Sequence, residues 1–181
     1  QAGRYLPEFR EIRKTNQDFI KLCLNESLST KITLQPIKRF GFDAAIIFSD
    51  ILMIPHGMNQ EVNFEKGFGP KLGNLNIDEI YKTDEKEFNK KLNPIYNAIS
   101  QTSKNDLLQN RDLIGFVGAP WTILVYMINK MSPKKGLPEK FFSDFSLINS
   151  LLNIIEKFLK LHIKNQVNAG ADVIQIFDSW A

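Results

Sequence analysis

Three short apolar runs, each closed off by Asp, Gly, Pro or Ser, constrain most tightly how this 181-residue chain can fold. They are Asp43–Asp50 (DAAIIFSD), Asp112–Pro120 (DLIGFVGAP) and Ala171–Ser179 (ADVIQIFDS), the last following the helix-stop signal Asn168-Ala169-Gly170. Runs this short, apolar without alternation, suit parallel strands covered on both faces. Helical patterns lie between them. Pro7 and Glu8 open one that continues through Phe9, Ile12, Phe19, Ile20 and Leu22, with a break near Asn16. Leu28 to Phe40 is a second, kinked at Pro36 and ended by Gly41. Phe88 to Ile99 follows with Pro94 inside it, and Trp121 to Ile128 starts directly after Gly118-Ala119-Pro120. In the longest, Phe141 to Val167, residues Phe141, Phe145, Ile148, Leu152, Ile155, Leu159 and Ile163 share one face. Glu61–Gly73 alternates and is rich in glycine, which predicts a hairpin-like excursion over the sheet.

Strands alternating with helices predict a parallel α/β sheet in a single domain over residues 1–181, since no repeat or linker interrupts the pattern. Three strands cannot close a barrel, which takes about 250 residues. An open three-stranded parallel sheet would also leave aggregation-prone edges. The expectation is therefore part of a larger fold.

Composition narrows the function classes. A hydrophobic share of 43% against 24% charged residues supports a packed core. The charge, 23 basic against 20 acidic residues, is mild and forms no Lys/Arg tract of the kind that marks nucleic-acid binding. No apolar run approaches the roughly 20 residues of a membrane span. One cysteine, Cys23, cannot form an internal disulfide and suits a reducing compartment, so the expected location is the cytoplasm. The chain opens at Gln1, not Met, which leaves a leader segment undecided.

Candidate site residues follow from position. Gln1-Ala2-Gly3-Arg4 is a loop with one glycine before a Pro-started helix, where backbone N–H groups and the Arg4 guanidinium can hold anions; Arg13 shares a helix face with Arg10. Asp50 ends an apolar strand in Ser-Asp. That position places a carboxylate at the strand's C-terminal end, the active-site face of a barrel, but also suits a helix cap. Tyr126 projects beside Thr122, away from the face shared by Trp121, Leu124, Val125 and Ile128. Ser179 is a cap or a site residue. His56 and His162 lie far apart in sequence, and one cysteine without an H-x-C pairing offers no zinc site. Gly67, Gly69 and Gly73 form no nucleotide loop.

QAGRYLPEFR (Gln1–Arg10) resembles the N-terminal signature of the uroporphyrinogen decarboxylases almost residue for residue. The resemblance continues through Thr33–Leu52, Leu113–Ile128 and Ala169–Trp180, in the family's order and at about its spacing. It implies a (β/α)8 TIM barrel, here incomplete at both ends and comprising roughly strands two to four with their helices. It implies removal of the four acetate carboxyls of uroporphyrinogen III to give coproporphyrinogen III in porphyrin and heme biosynthesis, with no cofactor and no metal, by a protein that is a homodimer at full length. By the same resemblance Gln1, Ala2, Gly3 and Arg4 line the substrate cleft, with Arg4 pairing substrate carboxylates, and Arg13 is a further arginine near the substrate. Asp50 takes hydrogen bonds from the pyrrole N–H groups, Tyr126 is the cleft tyrosine, and Ser179 is a hydroxyl at the end of the fourth strand. Asp50, Arg4 and Tyr126 are the residues expected in catalysis. The family's arginine before the glutamine and its C-terminal histidine have no counterpart here, so this piece alone is expected to be inactive. Two other readings are a corrinoid-dependent methyltransferase of the same superfamily, which needs Cys/His zinc ligands, and a non-catalytic tetrapyrrole-binding protein, which would not need Asp50.

Overall fold

The computed structural model describes residues 2–65, 67–132 and 143–180. After a short 3₁₀ turn at Ala2–Tyr5, helix α1 (Pro7–Thr15) starts at the expected proline and ends at Asn16. Helices α2 (Phe19–Cys23) and α3 (Glu26–Phe40) follow, capped by the side chains of Asp18 and Asn25. Helix α3 continues through Pro36 and stops at Gly41, whose left-handed φ of 65° a side chain would resist.

Strand β1 (Ala44–Ile46) leads through the turn at Asp50 into helix α4 (Met53–Gly57) and the antiparallel hairpin β2 (Val62–Glu65) and β3 (Gly69–Leu72). Helices α5 (Ile77–Tyr81) and α6 (Glu85–Ser103), strand β4 (Asp112–Gly118), helix α7 (Pro120–Asn129), helix α8 (Phe145–Asn168) and strand β5 (Val173–Phe177) complete the described order. The three apolar runs form one parallel sheet, ordered β1-β4-β5, with Ile46 beside Ile114 and Phe116 beside Gln175.

Four details depart from expectation. Strand β1 is much shorter than Asp43–Asp50 because hydroxyls on α3 capture its continuation. The Phe48 N–H donates to Thr33 Oγ1 at 2.9 Å, and its carbonyl accepts from Ser29 Oγ at 2.7 Å. Among the described residues, strand β5 is not covered on both faces: it pairs with β4 on one side, and Val173, Ile176 and Phe177 are exposed. The hairpin leans on α2 through Phe64 against Phe19, and on the end of α7 through the Leu72 N–H to the Lys130 carbonyl. On α8 the buried stripe runs through Ile148, Leu151, Ile155, Phe158, Leu159, His162 and Gln166, so Ile148, Ile155 and Leu159 of the expected face are buried, while Phe145 is exposed and Phe141 lies outside the described residues. Helices α4 and α5 carry too few residues for periodicity to reveal them.

The long helices fasten to the sheet by polar as well as apolar contacts. Gln166 of α8 accepts from the Phe116 N–H and donates to its carbonyl, both at 3.1 Å. It fits because Gly115 has no side chain: a Cβ there would sit 2.4 Å from Gln166 Oε1. Between α6 and α8, the buried Tyr96 hydroxyl and His162 Nδ1 lie 2.9 Å apart. Cys23 is fully buried, and burial pushes its thiol up, which leaves it an apolar core residue.

Candidate functional site

Asp50 sits where β1 has released its last residues and the chain turns toward α4. One oxygen, Oδ1, accepts from the Leu52 N–H at 3.0 Å; the other, Oδ2, lies 3.7 Å from a guanidinium nitrogen of Arg4. The carboxylate closes the turn that leads into α4 without capping that helix, whose N-cap residue Leu52 has no side-chain capping bond, and it also faces the N-terminal arginine. Burial raises its carboxyl above the ordinary range, and the Leu52 N–H and Arg4 partly offset that.

Arg4 and Arg13 meet over one ring. Their guanidinium carbons stand 4.9 Å and 5.5 Å from the centroid of Phe19. That ring is held by Phe48 at 5.7 Å and by Phe64 of the hairpin at 4.5 Å. Arg13 also donates to the Asn16 and Gln17 carbonyls at 2.6 and 3.0 Å, which seals the end of α1 and fixes its side chain. Arg4, Arg13, Phe19 and Phe64 line a cavity of about 1140 Å³. Asp50 does not line that wall itself; it reaches the cavity through Arg4.

Tyr126 and Ser179 lie at the same end of the parallel sheet, beyond the ends of β4 and β5. Tyr126 packs edge-on to Trp180 at 6.4 Å, and Ser179 is exposed in the turn that follows β5. Thr122, one turn before Tyr126, holds that turn: its hydroxyl donates to Asp178 Oδ1 at 2.8 Å and accepts from the Trp180 N–H at 3.2 Å. Among the described residues, no hydrogen bond or ion pair joins Tyr126 or Ser179 to the Arg4–Asp50 pair. The two groups are linked by packing at Gly118, where an added Cβ would lie 3.2 Å from the Cβ of Ile51. Gln1 lies outside the described residues; Ala2 and Gly3 contribute backbone to the 3₁₀ turn that carries Arg4.

Sequence reasoning missed Phe19 as the shared platform and Asp178 as the partner of Thr122. The first was hidden because a buried phenylalanine looks like core. The second had a signal: Asp178-Ser179 ends its strand as Ser49-Asp50 ends the earlier one.

The model of the family described as uroporphyrinogen decarboxylase (URO-D) matches residues 1–181. The chain belongs to the uroporphyrinogen decarboxylase family. It is 45% identical to the uroporphyrinogen decarboxylase of Campylobacter jejuni and 43% identical to that of Chelativorans sp., in each case over 100% of this chain and 54% or 53% of the relative. The chain thus spans about half the length of these curated members of the uroporphyrinogen decarboxylase family. A methyltransferase from Methanosarcina mazei shares the fold, with a TM-score of 0.71 over 93% of this chain and 50% of that one, at 17% identity. Among the described residues, no helix is long and apolar enough to cross a membrane.

Proposed function

We propose that this chain is one half of a uroporphyrinogen decarboxylase: a single domain over residues 1–181 that supplies three adjacent parallel strands of a (β/α)8 barrel and one wall of its substrate cleft. The observation that carries the reading is the Arg4–Asp50 pair at the end of β1, beside an arginine-lined cavity. The substrate is uroporphyrinogen III and the product coproporphyrinogen III. Each of four turns consumes one proton and one ring-borne acetate and yields a methyl group and carbon dioxide.

The chemistry explains the residues. Breaking the bond to the carboxyl leaves an electron pair on the CH2 carbon, which the pyrrole accepts only after a ring carbon has been protonated. The protonated ring is cationic. Asp50 supplies a fixed anion under the pyrrole N–H groups and stabilises that state by preorganised electrostatics. A charge pair at about 4 Å in an effective dielectric near 20 amounts to roughly 4 kcal/mol, about three decades of rate. When the carbon–carbon bond breaks, its electrons neutralise the ring; the CH2 carbon then takes a proton and the ring loses its own. The pyrrole is its own electron sink, so the reaction is read as cofactor-free and metal-free.

Arg4 and Arg13 hold substrate carboxylates, which planar guanidinium forks bind through two parallel hydrogen bonds. The 3.7 Å separation from Asp50 is long for a committed ion pair and leaves Arg4 able to turn onto a substrate arm. Gln1, Ala2 and Gly3 line the cleft beside Arg4, Tyr126 faces the reacting ring with Asp50 and Arg4, and Ser179 contacts the substrate from the end of β5. The full-length protein acts as a cytoplasmic homodimer on this small molecule, with no nucleic-acid or membrane partner. The test is an anaerobic assay of the full-length protein with uroporphyrinogen III. It is expected to form coproporphyrinogen III, while the 181-residue chain alone shows no turnover; absence of product from the full-length protein contradicts the reading.

A further inference from the structure

The cavity beside Arg4 continues outward along α1, and of the cations there the reaction described so far uses Arg13 but not Arg10. Arg10, Arg13, Lys14 and Gln17 recur at helical spacing and all line the cavity. Like charges so close repel one another. For Arg13 and Lys14 the helix end supplies a compensation, because cations are favoured at the last turn. Arg10, in the middle of the helix, has no such benefit.

The partners of the cavity's cations isolate the same residue. Arg4 faces Asp50, Arg13 donates to two backbone carbonyls, and Lys14 pairs with Glu11 at 2.6 Å. Glu8 is occupied by Arg39, and Glu65, on the opposite wall, by Lys71 at 2.9 Å. Arg10 has no anionic partner among the described residues. Phe64 of the hairpin lines the same cavity and offers an apolar surface suited to the flat body of a macrocycle.

We propose that Arg10 is a second carboxylate-binding station, separate from the Arg4–Asp50 pair, that takes acidic side arms on the part of the tetrapyrrole remote from the reacting ring. This rests on the decarboxylase reading. An exposed guanidinium facing a cavity, with acids on its own helix turned to other partners, is preorganised for a bidentate carboxylate. Because successive turns remove carboxyls, such a station holds the eight-carboxylate substrate more firmly than the four-carboxylate product, which favours release of the finished molecule.

The experiment uses the full-length protein with Arg10→Ala and Arg10→Lys, assayed with uroporphyrinogen III, and measures binding of oxidised uroporphyrin and coproporphyrin by fluorescence quenching. Arg10→Ala is expected to raise KM about tenfold, the scale of one charged hydrogen-bonding contact, and to do so by more than it lowers kcat. Its affinity for uroporphyrin should fall by more than its affinity for coproporphyrin, and Arg10→Lys should recover part of both losses. Arg10 lies on the helix surface, and unchanged circular dichroism of both variants shows that the fold is kept. A KM within twofold of wild type in Arg10→Ala, with the wild type active, would overturn the second station and leave the decarboxylase reading standing; an inactive wild type would overturn both.

Discussion

The carboxylate of Asp50 stands 3.7 Å from the guanidinium of Arg4 and at the same time accepts the Leu52 N–H at 3.0 Å. One side chain thus closes the turn after β1 and carries the negative charge that the proposed reaction needs. The turn bond fixes the position of the charge, and Arg4 ties it to the cavity.

The pH dependence of turnover follows from that pair. Burial raises the Asp50 carboxyl, while the Leu52 N–H and Arg4 lower it. Because the ionised form is the useful one, kcat/KM should rise with pH through this group, with an acid limb above the ordinary aspartate value of about 3.9. Arg4→Gln removes the counter-charge and should move the limb further up as well as raise KM. The pH–rate profiles of the two full-length proteins check this; an unmoved limb in Arg4→Gln means that Asp50 does not set it.

Phe19 prepares both arginines without contacting substrate chemistry. Its ring lies under Arg4 and Arg13 and is wedged between Phe48 and Phe64. Phe19→Leu keeps the apolar character but removes the aromatic face, forfeiting about 0.5–1 kcal/mol per guanidinium. The expected result is a several-fold higher KM with a smaller change in kcat, together with a stability loss of roughly 1–3 kcal/mol. Steady-state kinetics beside urea unfolding separate the two effects; an unchanged KM in a folded variant contradicts the platform role.

His162 makes stability depend on pH. Burial between α6 and α8 pushes its imidazole down to about 3. In the unfolded chain it titrates near 6.5. Below that value the unfolded state takes up a proton that the folded state refuses, so the stability contribution is full above about pH 6.5 and declines as pH falls toward 3, by about 1.4 kcal/mol per unit. Urea unfolding of the full-length protein at a series of pH values should show a shallower decline for His162→Gln than for wild type, and parallel declines would contradict the assignment.

The parallel sheet was legible because Asp112–Gly118 and its two flanking runs are apolar without alternation, and a strand buried between helices demands that pattern. The premature end of β1 was not legible, since it depends on the hydroxyls of Ser29 and Thr33, which lie far back in the sequence on α3. Asp50 and Arg4 could be singled out by their positions at a strand end and a helix start, and the structure brings them together. Phe19 could not, because an aromatic residue at a core position carries no mark of the cations it supports. The exposed face of β5 was misread for a related reason: apolar content reports what a strand can bury, not what covers it among the described residues.

The central claim is that the anion at residue 50 lowers the decarboxylation barrier. Asp50→Asn in the full-length protein keeps the size of the side chain and the oxygen that accepts from Leu52, and it removes a charge that burial disfavours. The measurement is single-turnover decarboxylation of uroporphyrinogen III beside urea unfolding of the same variant. The account predicts a rate lower by about three decades in a protein at least as stable as wild type at neutral pH. A folded Asp50→Asn variant that decarboxylates at the wild-type rate would contradict it.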